Sequence, residues 1–231
     1  MLTQVPQTNL QLYAQLIKLG FKNEHLNEIN RAYLFVARQS SSILRGSGKP
    51  FVCHLVGTAA LIAETGAGYI PVTAALLHAS YQDRLPFPGD DGLEARRRFI
   101  KDHFGVHIET LVHDQHKFET KDLHLYSDEL LRQRQMVVML RLADEIEDLL
   151  DHGLTMHGRP NDAETVRGSA PWRQLEKARL APELLRAAQA VDAPTLHQHL
   201  EQWLEQTTTF VWPEILHSGE YSSFKPVLAD G

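Results

Sequence analysis

The sequence predicts an all-α protein, and three features carry that expectation. Apolar residues recur every three or four positions through most of the chain, as they do along one face of a helix. The gaps between these runs hold Gly, Pro, Ser and Asn, which stop helices and turn the chain. No alternation of apolar and polar residues reads as a strand, and no internal repeat is present.

The elements follow in order. Thr8 is an N-cap for a short amphipathic helix that places Leu10, Tyr13, Leu16 and Ile17 at helical spacing before Gly20. Asn23 precedes a second helix with a broad apolar face of Leu26, Ile29, Ala32, Tyr33, Phe35 and Val36, weakened at its end by Ser40, Ser41 and Ser42. Gly46, Gly48 and Pro50 mark a loop. Phe51 opens an apolar helix that runs to about Thr65 and stops at Gly66. Pro71 suits the first turn of the next helix, whose inner stripe is Val72, Ala75, Leu76 and Ala79.

A surface loop from Pro86 to Gly92 leads into a helix closed by Gly105, and a shorter helix covers His107 to His116. Lys117 to Ser127 is polar and irregular. Asp128 to Asp151 reads as one long helix, with Leu131, Val138, Leu142, Ile146 and Leu149 on its stripe and Gly153 at its end. The loop-like stretch from His157 to Pro171 separates a core over residues 1–156 from a C-terminal helical extension over residues 157–231 packed on it. That extension holds helices at about 172–191 and 194–208, and Trp172, Trp203 and Trp212 serve packing there.

Composition limits the functional classes. The 231 residues suffice for a substantial core, so a stable monomer is feasible, though the sequence does not fix the oligomeric state. A formal charge of −6 gives no broad attraction to nucleic acid or an anionic membrane. The single Cys53 forms no intrachain disulfide, the N-terminal residues do not resemble a signal peptide, and no run is long enough to cross a bilayer. A cytoplasmic protein acting on a small-molecule substrate or ligand is the expectation.

Chemistry concentrates at His54 and His78, each set in an apolar helical pattern, and at Asp144 on the long helix. Asp144 and Asp148 are i,i+4 neighbours whose repulsion of roughly 0.2–0.5 kcal/mol invites a cation. Arg141 or a metal ion could supply it. Taken singly, His54 is also readable as a helix-terminal histidine and His78 as a core histidine bonded to a carbonyl. Two imidazoles and one carboxylate equally suit a mononuclear Fe(II) site with open positions or a Zn or Mn site.

These residues sit in a longer pattern. Arg45 precedes GKPF and then His54; AALLHASYQD supplies His78, Gln82 and Asp83; FGVHIETLV follows; and the long helix carries Leu142-Ala143-Asp144. The order resembles the HD-domain superfamily of metal-dependent phosphohydrolases, in particular the hydrolase domain of enzymes that degrade guanosine tetraphosphate, over roughly residues 25–151. The resemblance implies an HD-like helical bundle in which His54, His78 and Asp144 bind a divalent cation. Here the doublet that names the superfamily is His78-Ala79, so the aspartate ligand is absent and the motif is degenerate. The resemblance further assigns Asp83 to proton transfer beside Gln82, and Asp148 to the polar position one turn beyond Asp144. Arg45 and Lys49 then hold a substrate phosphate.

Three functions are compatible with this pattern: a hydrolase of a small phosphoester or nucleotide-like substrate using Mn, Fe or Zn; a repurposed non-heme iron enzyme; and a non-catalytic ligand- or partner-binding module from which metal is absent. His103, His107, His113 and His116 read either as a solvated face or, by resemblance to dinuclear HD oxygenases, as extra ligands. Gly46-Ser47-Gly48-Lys49 lacks P-loop spacing and reads as a turn carrying a cation. Cys53 is expected to be an inert, buried thiol.

Overall fold

Ten α-helices follow one another along the described part of the chain, with no named strand among them. They are seen in a computed structural model that describes residues 5–45, 48–82, 85–88, 92–152 and 170–209. The helices are α1 (Asn9–Lys18), α2 (Asn23–Gln39), α3 (Phe51–Glu64), α4 (Tyr69–Leu77), α5 (Leu93–Phe104), α6 (Val106–Lys117), α7 (Asp128–Gln133), α8 (Gln135–His152), α9 (Ala170–Ala190) and α10 (Pro194–Thr209).

Local chemistry explains most boundaries. Thr8 caps α1 in a full capping box with Gln11. α2 ends at Gln39, where the Ser40 hydroxyl donates to the Val36 carbonyl at 2.6 Å and competes with the backbone for it. Gly105, at φ 93°, joins α5 to α6 in a conformation that residues with a Cβ rarely adopt. Pro71 stands in the first turn of α4, as its missing N–H requires.

Helix α3 is the axis of the core. Leu55 to Ala63 are all buried, and the helix lies against α4 and α8. Two buried faces on one helix explain why its apolar residues form a continuous run rather than a stripe. Val138, Leu142, Ile146 and Leu149 form the inner face of α8, as expected. α9 and α10 pair with each other and with α8, and His199 of α10 bonds Glu64 of α3 at 2.9 Å. Trp203 is buried there; Trp172 has no described side chain and Trp212 lies outside the described residues.

Several expectations need correction. The helix foreseen over Asp128–Asp151 is two helices, because Arg134 leaves helical geometry at φ −110°, ψ 24°. The inner face of α1 is Leu12 and Leu16, whereas Leu10 and Ile17 are exposed. Both pairings fit helical spacing, and docking against α3 selects between them. The irregular stretch before α7 contains a 3₁₀ turn at Thr120–Leu125. Cys53 is partly rather than fully buried.

Candidate metal centre

The centre lies where α3, the end of α4 and α8 meet. α3 presents His54 one turn from its start, the residue closing α4 is His78, and α8 presents Asp144. All three are at least nine-tenths buried. His54 Nε2 lies 3.1 Å from Asp144 Oδ1 and 3.2 Å from His78 Nε2, and His78 Nε2 lies 3.4 Å from the same Oδ1.

The other atoms of these side chains are already engaged. His54 Nδ1 donates to Glu147 Oε2 at 2.7 Å, and His78 Nδ1 donates to the Ala75 carbonyl at 2.7 Å. A carboxylate and a carbonyl only accept, so each ring carries a proton on Nδ1 and turns Nε2 inward, as a lone pair in the neutral ring and as an N–H toward Asp144 in the imidazolium. Asp144 Oδ2 accepts from Arg141 at 2.9 Å and from Gln115 at 3.2 Å. Three lone-pair donors are thereby left facing one another, an arrangement that only a shared cation, proton or metal, makes favourable.

The electrostatics agree. Burial draws the His54 imidazole toward its neutral form, but hydrogen bonds to Asp144 and Glu147, with the charges of Asp148 and Asp144, outweigh it and raise the pKa to about 9. For Asp144 burial favours the protonated acid, yet the charge of His78 and hydrogen bonds from both histidines hold the carboxyl well below the usual range.

The donor set also fits a metal. Ligand bonds of about 2.0–2.2 Å opened by about 90–110° put neighbouring donors about 2.8–3.6 Å apart. The gaps of 3.1, 3.2 and 3.4 Å fall inside that interval. Both histidines have the outer partner that orients a ligating imidazole. Among the described residues these three form the group able to hold an ion.

Around them stands a ring of ion pairs. The loop between α2 and α3 folds back on itself through the Leu44–Pro50 bridge, with Gly48 at φ 80°, so Arg45 and Lys49 stand at its two arms. Arg45 pairs with Asp148, and Lys49 Nζ pairs with Glu147 Oε1 at 2.5 Å and with Gln7 Oε1 at 2.9 Å. Both cations foreseen as phosphate ligands are thus tied to α8, as the loop reading of this stretch allows. Gln82 follows His78 in a turn whose Ser80 and Gln82 carbonyls accept from the buried Arg96. Asp83 lies outside the described residues. Ala79 is fully buried in the apolar core.

Sequence reasoning missed Glu147, although it lies three residues beyond Asp144 and so on the same helical face. It also missed Gly57. A Cβ at Gly57 would stand 2.6 Å from Glu147 Cγ, so this glycine, inside a helix where it costs about 1 kcal/mol against Ala, lets the glutamate pass. A glycine within an otherwise strong helix was the available signal. The histidines of α5 and α6 do not form a second centre among the described residues: His103 stacks on Phe99 at 3.8 Å, His113 bonds Asp114, and His116 meets the Tyr81 ring.

Fold and site together define an all-α domain with a buried candidate metal centre, and comparison with known proteins shows what it is similar to. No family model matches the chain. A guanosine-3′,5′-bis(diphosphate) 3′-pyrophosphohydrolase of Aquifex aeolicus (strain VF5) is 26% identical over 133 residues, which are 54% of this chain and 18% of that protein's length. A solved structure of a metazoan SpoT ortholog that hydrolyses ppGpp superposes with a TM-score of 0.56 at 14% identity, covering 79% of this chain and 97% of that one. The chain is related to HD-domain hydrolases and shares their helical fold. No helix among the described residues is long and apolar enough to cross a membrane.

Proposed function

We propose that this chain is a metal-dependent hydrolase of a small phosphoester or nucleotide-like molecule, with a metal site reduced to three ligands. The observation supporting this reading is the inward convergence of His54 Nε2, His78 Nε2 and Asp144 Oδ1, each held by a partner on its far side. His54, His78 and Asp144 would hold a divalent Mn, Fe or Zn ion, which would supply Lewis acidity for phosphoester hydrolysis.

The remaining work falls to the protein. Glu147 and the Ala75 carbonyl keep both imidazoles in the ligating tautomer, while Arg141 and Gln115 point Oδ1 of Asp144 inward. Arg45 binds substrate phosphate by exchanging Asp148 for phosphate oxygens, Lys49 offers a further ammonium N–H to the phosphate while it stays paired with Glu147, and Asp148 then contacts the substrate's polar groups. Gln82 orients the attacking water and Asp83 accepts its proton. The activity in the Aquifex relative's name makes guanosine 3′,5′-bis(diphosphate) the first substrate to test.

One observation favours a second reading, a non-catalytic binding module. Asp144, Glu147 and Asp148 are each matched by a cation, Arg141, Lys49 and Arg45 in turn, so the charges are balanced without substrate. Metal analysis followed by turnover separates the readings. Hydrolysis requires close to one equivalent of Mn(II), Fe(II) or Zn(II), its loss in His54→Ala and Asp144→Ala, and metal-dependent release of pyrophosphate. Stoichiometric metal with dioxygen consumption and no pyrophosphate release points instead to an iron oxygenase. A metal-free protein indifferent to chelator rejects both enzymes.

A further inference from the structure

The chain ahead of α1 reaches the candidate centre from outside the stretch that resembles HD hydrolases. Val5 and Pro6 are buried, and the Gln7 side chain extends beside them to the Lys49–Glu147 pair. Its carboxamide spans both members of that pair. Oε1 accepts from Lys49 Nζ at 2.9 Å, and Nε2 donates to Glu147 Oε1 at 3.2 Å and to the Pro6 carbonyl at 3.2 Å. A flipped amide would set like atoms against like on both sides, so only this orientation fits. Gln7 N and Thr8 N both donate to Gln11 Oε1, at 2.9 and 3.1 Å, which fixes the segment on the start of α1.

What Glu147 needs is orientation. The last torsion of a glutamate side chain is broad, so its rotamer does not set the plane of the carboxylate. His54 receives Oε2 at 2.7 Å because Oε1 is held elsewhere, by Lys49 Nζ at 2.5 Å and by Gln7 Nε2. Lys49 is a poor guide by itself, since an ammonium on a flexible four-carbon stem can meet either oxygen. A carboxamide tied to its own buried backbone cannot follow such a shift.

We infer that Gln7 is a positioning residue of the candidate metal centre: by bridging Lys49 and Glu147 it fixes the Glu147 carboxylate, which holds the His54 ring with Nε2 turned toward His78 and Asp144. This role rests on the reading of His54, His78 and Asp144 as metal ligands. Gln7 lies 140 residues from Glu147 and 42 from Lys49, so the segment before the first helix becomes part of the centre only through the fold. It bonds none of the three ligand side chains, and its effect therefore passes through Glu147.

Calorimetric titration of the full chain with Mn(II) tests this. Gln7→Met, which keeps the length and removes both contacts, is expected to weaken Mn(II) binding about tenfold, at the lower end of what outer partners of metal ligands contribute. Gln7→Asn, polar but too short to span the pair, should lose as much. Thr8→Ala removes the cap of α1 one residue further on, so it should lower the thermal midpoint and leave Mn(II) affinity unchanged. In the Glu147→Gln background, Gln7→Met should weaken Mn(II) no further, because the carboxylate it orients is gone. Three results overturn the assignment and leave the centre in place: wild-type affinity in a folded Gln7→Met variant, equal losses of affinity in Gln7→Met and Thr8→Ala, or losses that multiply when Gln7→Met and Glu147→Gln are combined. A wild-type chain that takes up no Mn(II) overturns the centre itself, and this role with it.

Discussion

Replacing Glu147 by Gln keeps the shape of a fully buried side chain and removes its charge. Glu147 accepts from Lys49 at 2.5 Å, from His54 at 2.7 Å and from Gln7 at 3.2 Å. Hydrogen bonds to a charged group contribute about 1.5–3 kcal/mol and neutral ones about 0.5–1.5, so two weakened bonds account for roughly 2 kcal/mol. Lys49, whose side chain is only 13% exposed, also loses its counter-charge. Breaking a buried pair in this way costs about 3–5 kcal/mol, a figure that already contains the weakened bonds.

Urea denaturation of the metal-free protein is expected to report a loss in that range for Glu147→Gln and a similar loss for Lys49→Met. The double variant removes both charges together and should recover at least about 2 kcal/mol of the summed penalties. Because Glu147 also orients His54, the single variant should bind Mn(II) about 10–100-fold more weakly. A cost below about 1 kcal/mol for Glu147→Gln, with simple additivity in the double variant, would refute the proposed role of this carboxylate as the buried anchor of both Lys49 and His54.

Gly57→Ala should lose about 1–2 kcal/mol in the same assay instead of gaining the roughly 1 kcal/mol of helix propensity, because its Cβ meets Glu147. Ala79→Asp places a carboxylate in the core, so the metal-free variant should lose several kcal/mol and Mn(II) should restore much of it; unchanged metal affinity counts against the superposition on the HD pattern. The metal-free protein should also lose stability with rising pH. His54 titrates near 9 when folded against an ordinary 6.5, so its contribution is complete below the lower value and lost as pH passes the higher one. Denaturation midpoints measured from about pH 6 to about pH 9.5 should therefore fall for the wild type and fall less for His54→Gln.

Local sequence was sufficient wherever one residue type had one use. Thr8 read as a cap, Ser40 as a weak point at the end of α2, and the apolar run after Phe51 as a helix ending near Thr65. It failed where two arrangements shared one periodicity. Leu10 and Ile17 satisfy the same helical spacing as Leu12 and Leu16, and nothing within α1 says which pair α3 will cover. The break at Arg134 was invisible because apolar residues continue at helical spacing on both sides of it.

The candidate metal centre divides the same way. The sequence by itself determined the helical fold class and named His54, His78 and Asp144, because a helix and a ligand motif are both written in residues near one another or in fixed order. Only the tertiary structure decided how those side chains are held. Glu147 lies 93 residues from the His54 it orients, Gln115 lies 29 from Asp144, and Gly57 matters solely because α8 crosses α3 at that point. Such contacts depend on which helix faces approach and how closely, a property of packed surfaces rather than of spacing along the chain.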